Sequence, residues 1–289
     1  MKNAFILTVS DSFIMGLLGF IEALKFYGHT EDLHVILAPD IYGRKGNHGR
    51  MPMLLKIQEE TKQFNIIYKN LSELINKYPI AETRITHNKI ERGWICRFYA
   101  YPYMLDMDYD TYFIWQGDLL LLNNVSKYFD IAKKFTILSN NFSHFRHKKN
   151  WESKSRLTHD MANPICNIPF ITSDRELLKQ VWEEGCDIGR GDMKCIFHAL
   201  LTLDKLESVF LVPFNNWVYD WHSPTKIGYD GNGGYYRVDG SRINAYHGPM
   251  WSKGWALKEK YGAPTRQKHQ LFHNVYAEVA SKYGIPIGN

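Results

Sequence analysis

The sequence predicts an α/β protein with a mostly parallel sheet covered by helices, and three observations carry that prediction. Residues 4–10, Ala-Phe-Ile-Leu-Thr-Val-Ser, form a near-continuous apolar run that turns polar at its end, as a strand buried on both faces does. A helix-length apolar stretch follows over residues 12–27, and a second short apolar run over 33–37. Strand, helix and strand within the first forty residues make a βαβ unit, whose two strands pair in parallel.

The first helix has punctuation at both ends. Asp11 and Ser12 offer N-caps, and Gly28 offers the left-handed residue that stops a helix. Residues 41–52, rich in Gly, Lys and Arg, predict a surface loop; a lid facing phosphate or acceptor is the functional alternative. A helix over 53–62 and a strand over 64–68 continue the alternation, and a further helix is expected over 90–105. Residues 111–115 (Thr-Tyr-Phe-Ile-Trp) read as a strand, followed by the polar triplet Gln116-Gly117-Asp118 and a second apolar run, 119–122. A short helix over 124–129, a strand over 135–139 and polar loops over 140–163 come next. Helices over 174–185, with Ser173 as cap, and over 192–203 follow. Residues 217–246 mix many glycines with Trp217, Tyr219, Trp221, Tyr229, Tyr235 and Tyr236; this predicts a long loop suited to binding an acceptor. No repeat or linker interrupts the chain. The expectation is one domain over 1–289, with a nucleotide-binding half over 1–125 and an acceptor-binding half with a C-terminal elaboration over 126–289.

Composition narrows the function classes. Aromatics make up 15% of the chain, and Tyr and Trp present an apolar face beside a hydrogen-bonding tip, which suits sugar sites as well as cores. A net charge of +5 suits a phosphate-bearing partner but is too mild, with both signs interspersed, to imply nucleic acid. The four cysteines are far apart without paired spacing, which fits a reducing compartment and offers neither a zinc nor a disulfide framework. The apolar stretch 13–24 is broken by Gly16, Gly19 and Glu22 and is too short to span a bilayer. The reading is a soluble, cytoplasmic protein with no transmembrane segment.

Asp118 is the first chemical clue. It stands between two apolar runs, just past a strand end, where open α/β sheets bind their ligands. A buried carboxylate there is costly unless it is paired or holds a cation; the structural alternative is a turn residue capping backbone.

The order of these features resembles a GT-A glycosyltransferase of family eight, the group of bacterial lipooligosaccharide galactosyltransferases and glycogenin-like enzymes. Leu7-Thr8-Val9-Ser10-Asp11 is similar to that family's first strand and turn, which implies that Thr8, Ser10 and Asp11 contact the nucleoside. The segment around Arg97 resembles the family's helix before the metal motif, which implies that Arg97 approaches the diphosphate; a structural salt bridge is its alternative. Gln116-Gly117-Asp118 occupies the place of the DxD motif, with Gln116 in place of the first aspartate, so an amide oxygen replaces a charged ligand. His247 and Lys253 match the spacing of the family's HxxGxxKPW motif, as does Trp255, while Gly248 falls early and Gly254 replaces the proline.

The resemblance implies a nucleotide-diphosphate sugar donor, a UDP-sugar in this family, and a glycan or other hydroxyl acceptor. Its cofactor is manganese or magnesium, here on Asp118 and His247 with Gln116 alongside. Lys253 then offsets charge on the departing diphosphate, and Asp192 meets sugar hydroxyls, although Met193 stands where the family carries a glutamine. On the sequence alone, a helix cap is the better reading of Asp192. Family precedent implies retention at the anomeric carbon. The alternatives are an inverting transferase using Asp220, Asp230 or Asp239 as base, a sugar-nucleotide hydrolase, and a non-catalytic carbohydrate- or nucleic-acid-binding protein.

Overall fold

The first strand, β1 (Asn3–Ser10), runs through the middle of the molecule, and its side chains alternate between two cores. Phe5, Leu7 and Val9 point to one face of the sheet, Ala4 and Ile6 to the other, and all five are fully buried. The computed structural model describes residues 2–10, 14–38, 65–79, 97–117, 119–140, 165–188, 192–213, 217–220 and 227–247, with 278, 281 and 282. The expected loop 41–52 and helix 53–62 lie outside the described residues, as do Asp11, Asp118 and Lys253.

Helix α1 (Ile14–Phe26) covers the Phe5 face and leads to β2 (Asp32–Ala38), which pairs in parallel with β1. Gly28 ends α1 as expected. At a φ of +69° it donates to Lys25 O at 3.2 Å, while His29 N donates to Leu24 O at 2.9 Å, a Schellman pair. Next come β3 (Ile66–Asn70) and α2 (Leu71–Lys77), the latter a short helix that the sequence did not announce. Then come α3 (Ala100–Leu105), β4 (Thr111–Trp115), β5 (Leu119–Leu121), α4 (Lys127–Ala132) and β6 (Thr136–Asn140). Two strands of the large sheet had not been expected: β7 (Ile165–Thr172) and β8 (Val209–Val212). Between them lie α5 (Arg175–Ile188) and α6 (Asp192–Thr202).

The sheet order is β3-β2-β1-β4-β7-β6-β8, and β7 alone runs against its neighbours. The sequence-level fold class therefore holds. Helices α3, α5 and α6 pack on the face opposite α1, where Phe98, Tyr99 and Tyr101 meet Leu177, Val181 and Ile196. The segment 217–246, expected as a long loop, instead carries β9 (Val218–Asp220), β10 (Ile227–Tyr229), β11 (Tyr235–Arg237) and β12 (Ala245–His247). Its aromatics are partly core: Trp217 and Tyr246 are fully buried, and Trp217 packs against Phe113 and Trp115. Gly-rich composition marks the tight turns between short strands here, with Gly231 and Gly233 at positive φ.

One local feature differs from the sequence reading. Helix α5 is capped by Asp174, whose Oδ1 accepts the Leu177 N–H at 2.9 Å; Ser173 instead donates its hydroxyl to Ala132 O at 2.8 Å. A carboxylate at this position also takes Lys205 as partner at 2.7 Å, which a serine cannot do. Asp174→Ala should therefore cost about 1 kcal/mol, read as a lower urea midpoint at unchanged m-value.

Buried polar groups tie the core together. His29 accepts the Val125 N–H on Nε2 at 3.2 Å, so its proton lies on Nδ1, which meets Glu31 at 2.9 Å. Burial raises the Glu31 carboxyl, but hydrogen bonds from His29 and Ser126 outweigh it and hold the group at about 2. On the other face a directed chain runs through His34, which is only 4% exposed. Tyr109 donates to Asp32 at 2.6 Å, so its oxygen takes the His34 Nε2–H at 2.9 Å, and His34 Nδ1 accepts from Tyr103 at 3.0 Å. Burial holds the His34 imidazole down at about 4, against the partial opposition of Asp32.

Candidate active site

Parallel strands end side by side, so the carboxyl edge of the sheet is where this fold can gather chemistry. Leu7 of β1 lies opposite Trp115 of β4. Thr8 and Gln116, one step further on neighbouring strands about 4.8 Å apart, therefore reach the same edge. Both are half-buried. Ser10 ends β1 just beyond them.

Arg97 reaches this edge from another direction. Helix α3 feeds the amino end of β4, which is held there by a bond from Lys2 N to Asp110 at 3.0 Å. The chain entering α3 from Arg97, three residues before it, therefore starts towards the opposite, carboxyl edge, about 9 Å away along the six-residue helix. Asp192 follows the same logic. It opens α6, and α6 feeds β8, which runs parallel to β6 and in the same direction as β4. The amino end of α6 therefore lies at the carboxyl edge.

The turn after β4 is tightly built. Leu119 N donates to Gln116 O at 3.1 Å, and the Trp115 indole N–H donates to Leu119 O at 3.2 Å in a buried setting. Trp115 itself stacks on Phe20 of α1, centroids 4.6 Å apart. Gly16, in the first turn of α1, is pressed against the backbone of Gly117: any Cβ at position 16 would collide with the Gly117 carbonyl oxygen. This glycine contact was not singled out from sequence; the visible signal is only a small residue early in the first helix.

His247 arrives through a second, three-stranded sheet ordered β5-β12-β9. Strand β12 runs antiparallel to β5 with His247 opposite Leu119, the residue directly after Asp118. On its other side β12 runs parallel to β9, with His247 opposite Asp220. Asn244, 5% exposed, anchors the sheet: its carbonyl accepts Leu122 N at 2.8 Å and its N–H donates to Trp217 O at 3.0 Å. Residues more than a hundred positions apart in the chain are thus adjacent at the strand ends. Among the described residues no group of three or more His, Cys, Asp and Glu side chains gathers as a cation site.

Of the three acids proposed as an inverting base, two are engaged elsewhere. Asp230 accepts the N–H groups of Asn232 and Gly234, both at 2.8 Å, and Asp239 accepts from Ser241; each shapes an exposed turn. Those bonds hold both carboxyls below the usual range. Only Asp220 lies on the strand beside His247.

No family model matches the sequence, and no curated protein does. Solved structures do. The galactosyltransferase LgtC, determined with donor and acceptor sugar analogues, aligns over 95% of this chain and 95% of its own, at a TM-score of 0.54 and 14% identity. Mouse xyloside xylosyltransferase 1 aligns over 87% of this chain and 99% of its own, at 0.50 and 11%. The chain has the GT-A glycosyltransferase fold. The resemblance read from the sequence holds at the level of the fold. No described helix is long and apolar enough to cross a membrane.

Proposed function

We propose that this protein is a glycosyltransferase that moves a sugar from a nucleotide diphosphate, a UDP-sugar, to the hydroxyl of a carbohydrate or other acceptor in the cytoplasm. The observation that carries the reading is the pairing of His247 with Leu119. It sets the imidazole-bearing strand beside the position that follows Asp118, at the edge where Thr8, Ser10 and Gln116 also end.

In this reading Thr8, Ser10 and Asp11 hold the nucleoside, Arg97 and Lys253 take the diphosphate oxygens, and Asp192 meets sugar hydroxyls. Asp118 and His247, with the amide oxygen of Gln116, form a donor set suited to manganese or magnesium. A divalent cation there would neutralise the diphosphate. Catalysis is then mostly positioning and charge: the chain fixes the donor against the acceptor, and the Lys253 ammonium offsets negative charge growing on the leaving phosphate. Retention follows from the family likeness. The place of Asp220 beside His247 favours one rival, an inverting enzyme with Asp220 as base, and the anomeric proton of the product distinguishes the two by NMR.

A thermal-shift panel of nucleotide sugars, with and without manganese, tests the proposal. A UDP-sugar at a hundred times its Kd should stabilise the protein by about 2.7 kcal/mol. Asp118→Ala and His247→Ala should each erase the manganese-dependent part, while Lys253→Ala should weaken UDP binding even without metal. Stabilisation by none of the nucleotide sugars would overturn the reading.

A further inference from the structure

A cavity of about 320 Å³ lies on the far half of α1, away from the strand ends that hold the candidate donor site. At 1.5 Å per residue its centre sits on the order of 10–15 Å along the helix from that edge. One helix face forms its floor: Gly19, Ala23 and Phe26, spaced as successive turns. The two small residues leave the space, and β5 closes the back with its leucines.

The opposite wall is the β10–β11 hairpin, presenting Tyr229 and Tyr235 with ring centroids 4.9 Å apart and 31° between planes. This wall is fastened to α1. Tyr27 donates its hydroxyl to Gly233 O at 2.8 Å, and Gly233 N donates to the Tyr229 hydroxyl at 3.2 Å. Gly233 also rests on the Phe26 ring so closely that a Cβ there would collide with it. Two rings nevertheless stay open to solvent, Phe26 at 66% and Tyr229 at 49% exposed. The polar groups at the mouth are Glu22, Glu278 and Lys282, the last ion-paired with Glu22.

We propose that this cavity is a saccharide-binding site, separate from the donor site, that takes a neutral mono- or disaccharide unit of a glycan. Flat aromatic walls suit the apolar face of a pyranose, and the carboxylates and ammonium at the mouth can accept from and donate to its hydroxyls. The volume falls at the small end of the roughly 300–1,000 Å³ typical of ligand pockets. Other ligand classes fit less well. Glu22 and Glu278 repel phosphate, and three charged side chains at the mouth oppose an aliphatic chain.

The test needs no donor and no activity, so its failure leaves the transferase reading untouched. Lactose, maltose and cellobiose are titrated at millimolar concentrations into the intact protein, following tyrosine ring resonances and saturation transfer to the sugar. At least one should bind and shift the Tyr229 and Tyr235 rings, with the same Kd when UDP is present. Tyr229→Ala should weaken that binding about tenfold, while Tyr229→Phe, which keeps the ring, should preserve it. Phe26→Leu, apolar but without the ring, should weaken it as well. Silence of both tyrosine rings with all three sugars would overturn the proposal, as would unchanged affinity in folded Tyr229→Ala. Displacement of bound sugar by UDP would also overturn it, since the sugar would then occupy the donor site.

Discussion

Gly16→Ala is expected to destabilise the protein by about 1–3 kcal/mol and to lower its affinity for nucleotide sugar, because the new methyl group has nowhere to go. Position 16 lies in the first turn of α1, where alanine is still intrinsically preferred to glycine by up to about 1 kcal/mol, so propensity alone predicts a stabilised variant. Packing reverses the sign. The added Cβ meets the Gly117 carbonyl oxygen, which is backbone and cannot rotate aside as a side-chain tip would. Relief requires either α1 or the turn after β4 to move, and that turn is tied at both ends by the Leu119-to-Gln116 and Trp115-to-Leu119 bonds. The displaced segment carries Gln116 and Asp118, so donor binding should fall with stability. Urea denaturation measures the first effect and a nucleotide-sugar titration the second. Gly228→Ala is the control: nothing lies within 4 Å of a Cβ there, and its cost should stay within about 0.5 kcal/mol. A Gly16→Ala protein as stable as the parent, with unchanged affinity, would mean that this contact does not position the turn.

Acidification should destabilise the fold well before ordinary carboxylates titrate. His34 has a folded value of about 4 against an ordinary value of 6.5. Between those two pH values the unfolded chain binds the proton and the folded chain does not, so stability falls as pH drops from 6.5 towards 4. A depression of this size corresponds to a loss on the order of 2–3 kcal/mol across that window. Glu31 acts in the next one. Its carboxyl is held at about 2 against an ordinary 4.5, so its contribution is present above 4.5 and is lost as pH falls towards 2. Urea unfolding from pH 7.5 to 4.5 should show the His34 slope, and His34→Gln should flatten it while lowering stability at neutral pH. Asp32 and His34 open β2 at the amino edge of the sheet, opposite the candidate active site. The His34 titration should therefore reach nucleotide binding only through folding. An unchanged slope in His34→Gln would assign the acid sensitivity to other groups.

Several elements were legible because their signal is local. The buried strand at the start, the helix after it, the stop at Gly28 and the strand Thr111–Trp115 each follow from an apolar period or a single conformational demand. Strand β7 was hidden for a physical reason. Pro169 lies inside it and lacks the N–H that a central strand uses, which argues against a strand from sequence. The fold accommodates it with a register shift in the facing strand, between Ile137 and Ser139, and with the Ser139 hydroxyl donating to Ile168 O at 2.6 Å. Strand β8 was missed because four apolar residues do not distinguish an edge strand from the end of a helix.

By itself the sequence determined the alternation of strands and helices, and with it the edge at which a ligand would bind. It also supplied the spacing of His247 and Lys253 and the isolated Asp118, since these are properties of neighbouring residues in the chain. Only the tertiary structure decided which distant segments meet. The β5-β12-β9 sheet sets His247 opposite Leu119 and beside Asp220, and the first turn of α1 touches Gly117. The same packing opened a cavity behind that helix between residues more than two hundred positions apart. Such meetings depend on backbone pairing and close approach across the core, which no local pattern of residue types encodes.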